Sequence, residues 1–221
     1  MLKISNISKS YPQRGLVLDN LDLEIIEKCS LAITGPSGSG KTTLLNIIGG
    51  LLLPDSGKVF FKDSDISLFT TDEAAAYRNN NVGFVFQDHL LMPHLTVFEN
   101  ICLPLLASPK NKRNNVNSID YALSLMEKTG ILELKNKFPS QISGGEAQRA
   151  TLVRALINKP SLILADEPTG SLDSANSEVL TDVLTDLNKE LGTTLIVVTH
   201  SKNLAAKMQK QLHIEKGILR Q

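Results

Sequence analysis

Eight consecutive residues, Gly35-Pro36-Ser37-Gly38-Ser39-Gly40-Lys41-Thr42, match the spacing G-x-x-x-x-G-K-[ST] without a mismatch. Glycines at these positions let the backbone curl so that successive N–H groups point into one concavity and hold phosphate oxygens. A helix beginning near Lys41 adds the positive end of its dipole, and Thr43 falls in the same cradle. Lys41 supplies a point charge for the outer phosphates, and the Thr42 hydroxyl suits a Mg²⁺ ligand. The plain alternative is a glycine-rich turn between strand and helix. The complete match, with the apolar run Leu31-Ala32-Ile33-Thr34 before it and helical residues after it, speaks for the phosphate loop.

Three other places carry groups that work with such a loop. Leu162-Ile163-Leu164-Ala165-Asp166-Glu167 sets two carboxylates at the end of an apolar run. In open α/β sheets ligands sit at the carboxyl ends of strands, so both acids are expected to face the phosphate loop. Asp166 would hold Mg²⁺ through a water, and Glu167 would polarise an attacking water, a role worth roughly 10²–10⁴ in rate. Standing alone, the pair could simply end a strand and cap the next element. Ser143-Gly144-Gly145-Glu146 opens a helix that continues through Gln148 and Arg149. Ser-x-x-Glu is a helix capping box. Ser143 and the free N–H groups near Gly145 also suit a terminal phosphate, and one helix can do both. His200 follows the apolar run Thr194–Val198. A lone histidine there is more often structural than catalytic, and its neighbours alone make it a candidate.

These groups need a scaffold that brings them together, and the hydrophobic pattern describes one. Leu2, Ile4 and Ile7 alternate with polar residues, and Val17, Leu21 and Leu23 follow a Tyr11-Pro12 turn, which predicts strands. Leu44, Leu45, Ile47 and Ile48 predict a helix from Thr42 closed by Gly49-Gly50. Pro54 to Gly57 reads as a turn and Val59-Phe60-Phe61 as a strand. Asp72 to Asn79 reads as helix, Val82 to Phe86 as strand, Thr96 to Leu106 as helix and Ser108 to Asn117 as an exposed loop. Ile119, Leu123 and Met126 predict a helix over 118–128. A helix bearing Leu152, Val153 and Leu156 precedes the strand Leu162–Ala165. Another, bearing Leu180, Val183, Leu184 and Leu187, precedes the strand Leu195–Val198. Continuous apolar strands between helices predict a sheet covered on both faces, with a mainly helical insert between two of its strands.

The bulk numbers narrow the classes. The chain has 221 residues, 42% hydrophobic and 21% charged, enough for one domain with a small insert. Lys plus Arg and Asp plus Glu are both 23. That balance argues against nucleic acid as a partner, since neutralising phosphates needs a basic excess. Cys29 and Cys102 lie in apolar stretches without metal-like spacing and read as two buried thiols in a reducing cytosol. No signal-like segment opens the chain, and no run approaches the ~18 apolar residues of a membrane span. Any work at a membrane would need spans from other subunits.

In this order the motifs resemble the ABC (ATP-binding cassette) ATPase family over nearly the whole chain. The resemblance implies an α/β fold. Its P-loop NTPase core has a mixed, mainly parallel sheet, joined by an N-terminal antiparallel β subdomain and an inserted helical subdomain. Residues 1–221 would form one domain. Within it, 1–87 and 160–221 would make the nucleotide-binding core with its β subdomain, and 88–159 the helical subdomain with the signature. The implied substrate is ATP, with Mg²⁺. Tyr11 resembles the aromatic that stacks on adenine, and Gln87 the glutamine that touches Mg²⁺ and senses a transmembrane partner. Ile142 to Glu146 is similar to the family signature Leu-Ser-Gly-Gly-Gln, with Glu146 in place of glutamine. Ser171-Leu172-Asp173 resembles the loop that communicates across a dimer, and His200 the switch histidine at the γ-phosphate. The resemblance further implies two copies packed head to tail, each ATP lying between one phosphate loop and the partner's signature.

Leu95-Thr96-Val97-Phe98-Glu99-Asn100, Leu103-Pro104-Leu105 and Ala165 to Asp173 look most like the lipoprotein-release branch and its macrolide-export and cell-division relatives. Ser171 stands where many members carry asparagine. This points to a peripheral motor on the cytoplasmic face of the inner membrane, driving a separate transmembrane permease, with lipoprotein release as the leading cargo process. The cell-division and macrolide-export types stay open, because all three share one engine. Chromosome-type members are disfavoured because no heptads fill the segment from Lys41 to Ser143, and translation-type members because they carry two cassettes. A simple P-loop kinase leaves Ser143–Glu146 and His200 unexplained.

Overall fold

The computed structural model describes residues 1–107 and 116–220. The chain opens with β1 (Leu2–Tyr11), β2 (Gly15–Ile25), β3 (Ser30–Thr34), α1 (Lys41–Ile48), β4 (Ser56–Phe61) and β5 (Ser64–Asp65). It continues through α2 (Thr71–Asn81), β6 (Val82–Val85), α3 (Val97–Leu106), α4 (Val116–Lys128) and α5 (Gly144–Leu156). It closes with β7 (Leu162–Asp166), α6 (Ser174–Leu191), β8 (Thr194–Val198), α7 (Lys202–Ala206), β9 (Lys210–Glu215) and β10 (Ile218–Arg220).

Period-two alternation makes the first sheet. Leu2, Ile4 and Ile7 are at most 2% exposed while their neighbours face out, so β1 pairs antiparallel with both β2 and β4 over one apolar face. The strand order is β2-β1-β4-β5. The turn into β2 is closed by the Arg14 N–H donating to the Tyr11 carbonyl at 3.1 Å.

The second sheet has the order β10-β9-β3-β8-β7-β6, parallel throughout except for the β9–β10 hairpin. Its central strands are buried at nearly every position because both faces are covered. Leu162 and Leu164 of β7 pack with α1 and the first sheet, whereas Ile163 and Ala165 pack with the helices on the other side. The predicted α/β architecture is observed: a mixed, mainly parallel sheet, an antiparallel N-terminal sheet, and helices α3 to α5 inserted between the paired strands β6 and β7.

The boundaries differ in places. Ser56 and Gly57, expected in a turn, already belong to β4; Asp55 ends the turn by accepting from the Lys9 ammonium and the Ser10 N–H. The predicted loop over 108–117 lies outside the described residues except at its end, where Val116 and Asn117 are already helical. The strands β9 and β10 had no counterpart in the sequence reading. β9 alternates only weakly, but it pairs with β3 directly beneath the phosphate loop.

Helix α5 is buried nearly all round and lies so close to β6 that a β-carbon on Gly83 would sit 2.3 Å from the Ala155 carbonyl oxygen. That backbone cannot swing aside as a side chain can. Gly83→Ala is therefore expected to cost roughly 1–3 kcal/mol. Thermal unfolding should show it as a fall of about 2–4 °C per kcal/mol for a chain of this size. An unchanged melting temperature would mean that the contact is looser than this.

Candidate active site

The phosphate loop leaves β3 while the neighbouring parallel strand β9 continues beside it. A β-carbon on Gly35, whose φ is +147°, would meet the Ile214 carbonyl oxygen at 2.1 Å, and one on Gly40, φ +104°, would meet the Val17 carbonyl oxygen at 2.8 Å. Only glycine fits at either position. The loop curls around the Lys41 ammonium, which donates to the Gly35 and Pro36 carbonyls at 2.9 Å each and lies 3.4 Å from His200 Nε2. Two carbonyl acceptors thus take two of its three N–H groups. Lys41 is 6% exposed, and burial pulls its pKa down, against the attraction of Glu167 and Asp166.

The two acids stand opposite, at the end of β7. Asp166 accepts from the Thr42 hydroxyl at 3.2 Å; burial raises its pKa, and that hydrogen bond works against the rise. Glu167 has φ +45°, a left-handed conformation uncommon for a residue with a side chain. Such a conformation costs of order 1–3 kcal/mol and is held here by the Glu167 N–H donating to the Val198 carbonyl at 2.8 Å. It turns the carboxylate into the cleft. One oxygen accepts from the His200 N–H at 3.0 Å; the other, Oε1, is buried, accepts no hydrogen bond and lies 3.3 Å from His200 Nε2.

These groups line one cleft of about 450 Å³, together with Ser37, Gly38, Gly40, Thr42, Thr43 and Gln87. Ser39 Oγ is buried in the loop without a partner, a polar atom waiting for one. Arg14, Val17 and Gly170 also line the cleft and were not found by sequence reasoning, since an exposed arginine in a turn carries no local signal. Tyr11 is not among the lining residues; it ends β1, with the Lys9 ammonium 5.9 Å from its ring centroid.

Ser143, Gly144, Gly145 and Glu146 are not in this cleft. Ser143 caps α5. Its hydroxyl accepts from the Glu146 N–H at 3.3 Å and donates to the Glu146 carboxylate at 2.8 Å, which also accepts from the Ser143 N–H at 2.7 Å. Those hydrogen bonds hold the Glu146 pKa down. Gly145 packs so tightly on Asn176 that a β-carbon would meet its Oδ1 at 2.5 Å, while Gly144 faces Leu172. The start of α5 therefore rests on the Ser171-Leu172-Asp173 loop, with its N–H groups outside the cleft of its own chain.

A strand–loop–helix cradle, a lysine inside it and two acids across from it have the chemistry that handling a phosphate needs. The family model described as ABC transporter matches residues 18–170, which span this whole arrangement. The chain belongs to the ABC transporter family. Among curated proteins, this ABC chain is 44% identical to lipoprotein-releasing system ATP-binding protein LolD 1 of Rhodopirellula baltica, over 99% of the chain and 96% of that protein. It is 40% identical to LolD of Shewanella oneidensis over 99% and 95%. Among solved structures it matches the dimeric ATP-binding cassette MJ0796, in a post-hydrolysis state bound to ADP and Pi. That match has TM-score 0.91 and 37% identity, over 100% of this chain and 97% of that one. It also matches cbiO1 of Clostridium perfringens, part of the cbiONQ transporter complex, at TM-score 0.86 and 25% identity over 100% and 86%. The cassette is an ATPase and binds nucleotide.

Because burial raises the Asp166 pKa, its charged form is disfavoured in the folded state. The penalty is present above the folded pKa and is lost as pH falls through it. Asp166→Asn is accordingly expected to melt higher than the parent at pH 7 while losing ATP hydrolysis, with the gap closing as the pH is lowered. A variant that melts lower at pH 7 would show that the Thr42 and Lys41 contacts outweigh the burial.

Proposed function

We propose that this cassette is the ATP-hydrolysing motor of a lipoprotein-releasing ABC transporter, working as a head-to-tail pair on a separate membrane subunit. The observation that carries the catalytic part is the Glu167 carboxylate, held in the cleft by its left-handed backbone with one buried oxygen unpartnered. That oxygen would accept the proton of an attacking water. The loop N–H groups from Ser37 to Thr43 and the Lys41 ammonium would hold the β- and γ-phosphates, and His200 would meet the γ-phosphate beside Glu167. Tyr11 would stack on adenine. Lys41 would exchange carbonyl partners for phosphate oxygens as nucleotide enters.

The residues fit Mg²⁺. Thr42 and Asp166 are already 3.2 Å apart, and Gln87 lines the same cleft. Mg²⁺ keeps waters and phosphate oxygens and asks the protein for only one or two ligands, so a sparse set of oxygens suffices. Bound there, it would neutralise charge on the transferred phosphoryl group.

Ser143, Gly144, Gly145 and Glu146 would serve the nucleotide of a second copy, which accounts for their position outside their own cleft. Residues 1–87 and 160–221 would act as the nucleotide-binding body and 88–159 as the helical body. The membrane partner would dock in a groove of about 400 Å³ lined by Arg78, Phe84, Phe86, Pro104 and Arg154. Phe84 and Phe86 stack there at 5.3 Å, and exposed Leu90, Met92 and Leu106 add apolar surface nearby in the chain. No helix among the described residues is long and apolar enough to cross a membrane, so the spans would come from that partner. The pair would sit peripherally on the cytoplasmic face of the inner membrane. Lipoprotein release is favoured over macrolide export and cell-division control by 39–44% identity to five LolD proteins along almost the whole chain.

The test is to capture the Glu167→Gln protein with ATP from detergent-solubilised membranes of the source cell. A membrane protein with a large extracytoplasmic domain, co-purifying with lipoproteins, is the expected result. Wall hydrolases in their place would move the assignment to cell-division control, and ribosomal or DNA-bound proteins would overturn the transport reading.

A further inference from the structure

The segment that carries Gln87 out of β6 is tied to α5 on both sides of that residue. Before it, Gln148 Nε2 donates to the Phe86 carbonyl at 2.7 Å. After it, His89 Nδ1 lies 2.8 Å from Gln148 Oε1. The His89 carbonyl accepts from Thr151 Oγ1 at 3.1 Å and from Arg154 Nη2 at 2.9 Å. Gln148 and Thr151 are 0% exposed. Residues 148, 151 and 154 are one helical turn apart, so they form a single stripe along α5 facing the segment.

The Gln148 amide is oriented by this geometry. A carbonyl can only accept, so the amide nitrogen must face Phe86 and the amide oxygen must face His89. His89 Nδ1 is therefore the donor. The His89 ring extends toward the start of the helix, where Nε2 lies 4.0 Å from the position a β-carbon on Gly144 would take. One buried amide thus ties the Gln87 segment to α5 on both sides of Gln87, and the imidazole it holds lies beside Gly144 at the Ser143 end of that helix. Sliding the segment along the helix would strip partners from groups that water cannot reach, and such groups resist losing them.

We propose that Gln148 and His89 are positioning residues for ATP hydrolysis, making the Gln87 segment and the Ser143 end of α5 move as one body. Neither lines the cleft. The pair would set how well a docked partner's push on the Gln87 segment is transmitted to the phosphate-facing end of α5. The proposal rests on the reading that Ser143 meets a phosphate, so Ser143→Arg belongs in the same experiment.

The experiment combines steady-state ATPase kinetics on the full chain with equilibrium binding of a fluorescent ATP analogue. His89→Ala and Gln148→Leu are each expected to lower kcat by roughly tenfold, as a misplaced catalytic end does. Analogue affinity should stay within about twofold, because the loop of the same chain is untouched. The double variant should be no slower than the worse single variant, since both break one link. His89→Asn, which keeps a donor near the Nδ1 position, should recover most of the rate; a merely structural loss would not separate in this way. Unchanged kcat in both singles, losses that multiply in the double, or a rate loss that follows analogue affinity would each overturn the proposal. If Gln148→Leu does not fold, the two His89 variants decide, as that ring is only partly buried. Should Ser143→Arg leave hydrolysis intact, the Ser143 reading fails and the link with it. Should Ser143→Arg abolish hydrolysis while the His89 and Gln148 variants do not change it, the link alone fails.

Discussion

The Lys41 ammonium is a cation held almost out of water, and much of the molecule follows from keeping it there. Burying an ammonium is unfavourable unless acceptors and opposite charge surround it. The Gly35 and Pro36 carbonyls supply the first, which requires the loop to curl through conformations that only glycine reaches at Gly35 and Gly40. Asp166 and Glu167 supply the second, which requires β7 to end level with the loop. Parallel strands with buried faces are the arrangement that delivers both ends to one edge of a sheet.

Under the proposed head-to-tail pairing, each chain would supply half a site. Its cleft has a phosphate cradle, a carboxylate with a spare oxygen and a histidine between them. The cap of α5 carries the complementary N–H groups and lies elsewhere on the chain, seated on the loop at Leu172 and on Asn176 at the start of α6. A motor benefits from this separation. Two faces that met only with nucleotide between them would convert binding into movement, and the helices inserted between β6 and β7 would carry that movement away from the sheet.

Much of this was legible in the sequence because the decisive signals are local. The phosphate loop is contiguous, Asp166-Glu167 directly ends an apolar strand, and the Ser143 capping box is read from four residues. The central strands were visible for the same reason, each holding an unbroken apolar run. What stayed hidden depends on tertiary contact. β9 and β10 are largely exposed, and their place is set by pairing, β9 with β3 and β10 with β9, rather than by their own pattern. Arg14 enters the cleft only because the β1–β2 turn folds over the loop. The left-handed backbone of Glu167 and the link through Gln148 have no periodicity to betray them, since each is a matter of what happens to lie across from a buried atom.

The claim that the site is completed by a second copy is tested most directly by the mass of the Glu167→Gln protein in solution, measured by light scattering with and without ATP. The account predicts a monomer that becomes a dimer when ATP and Mg²⁺ are added and returns to monomer when Ser143→Arg is combined with it. A Glu167→Gln protein that binds ATP and stays monomeric at saturation would contradict it.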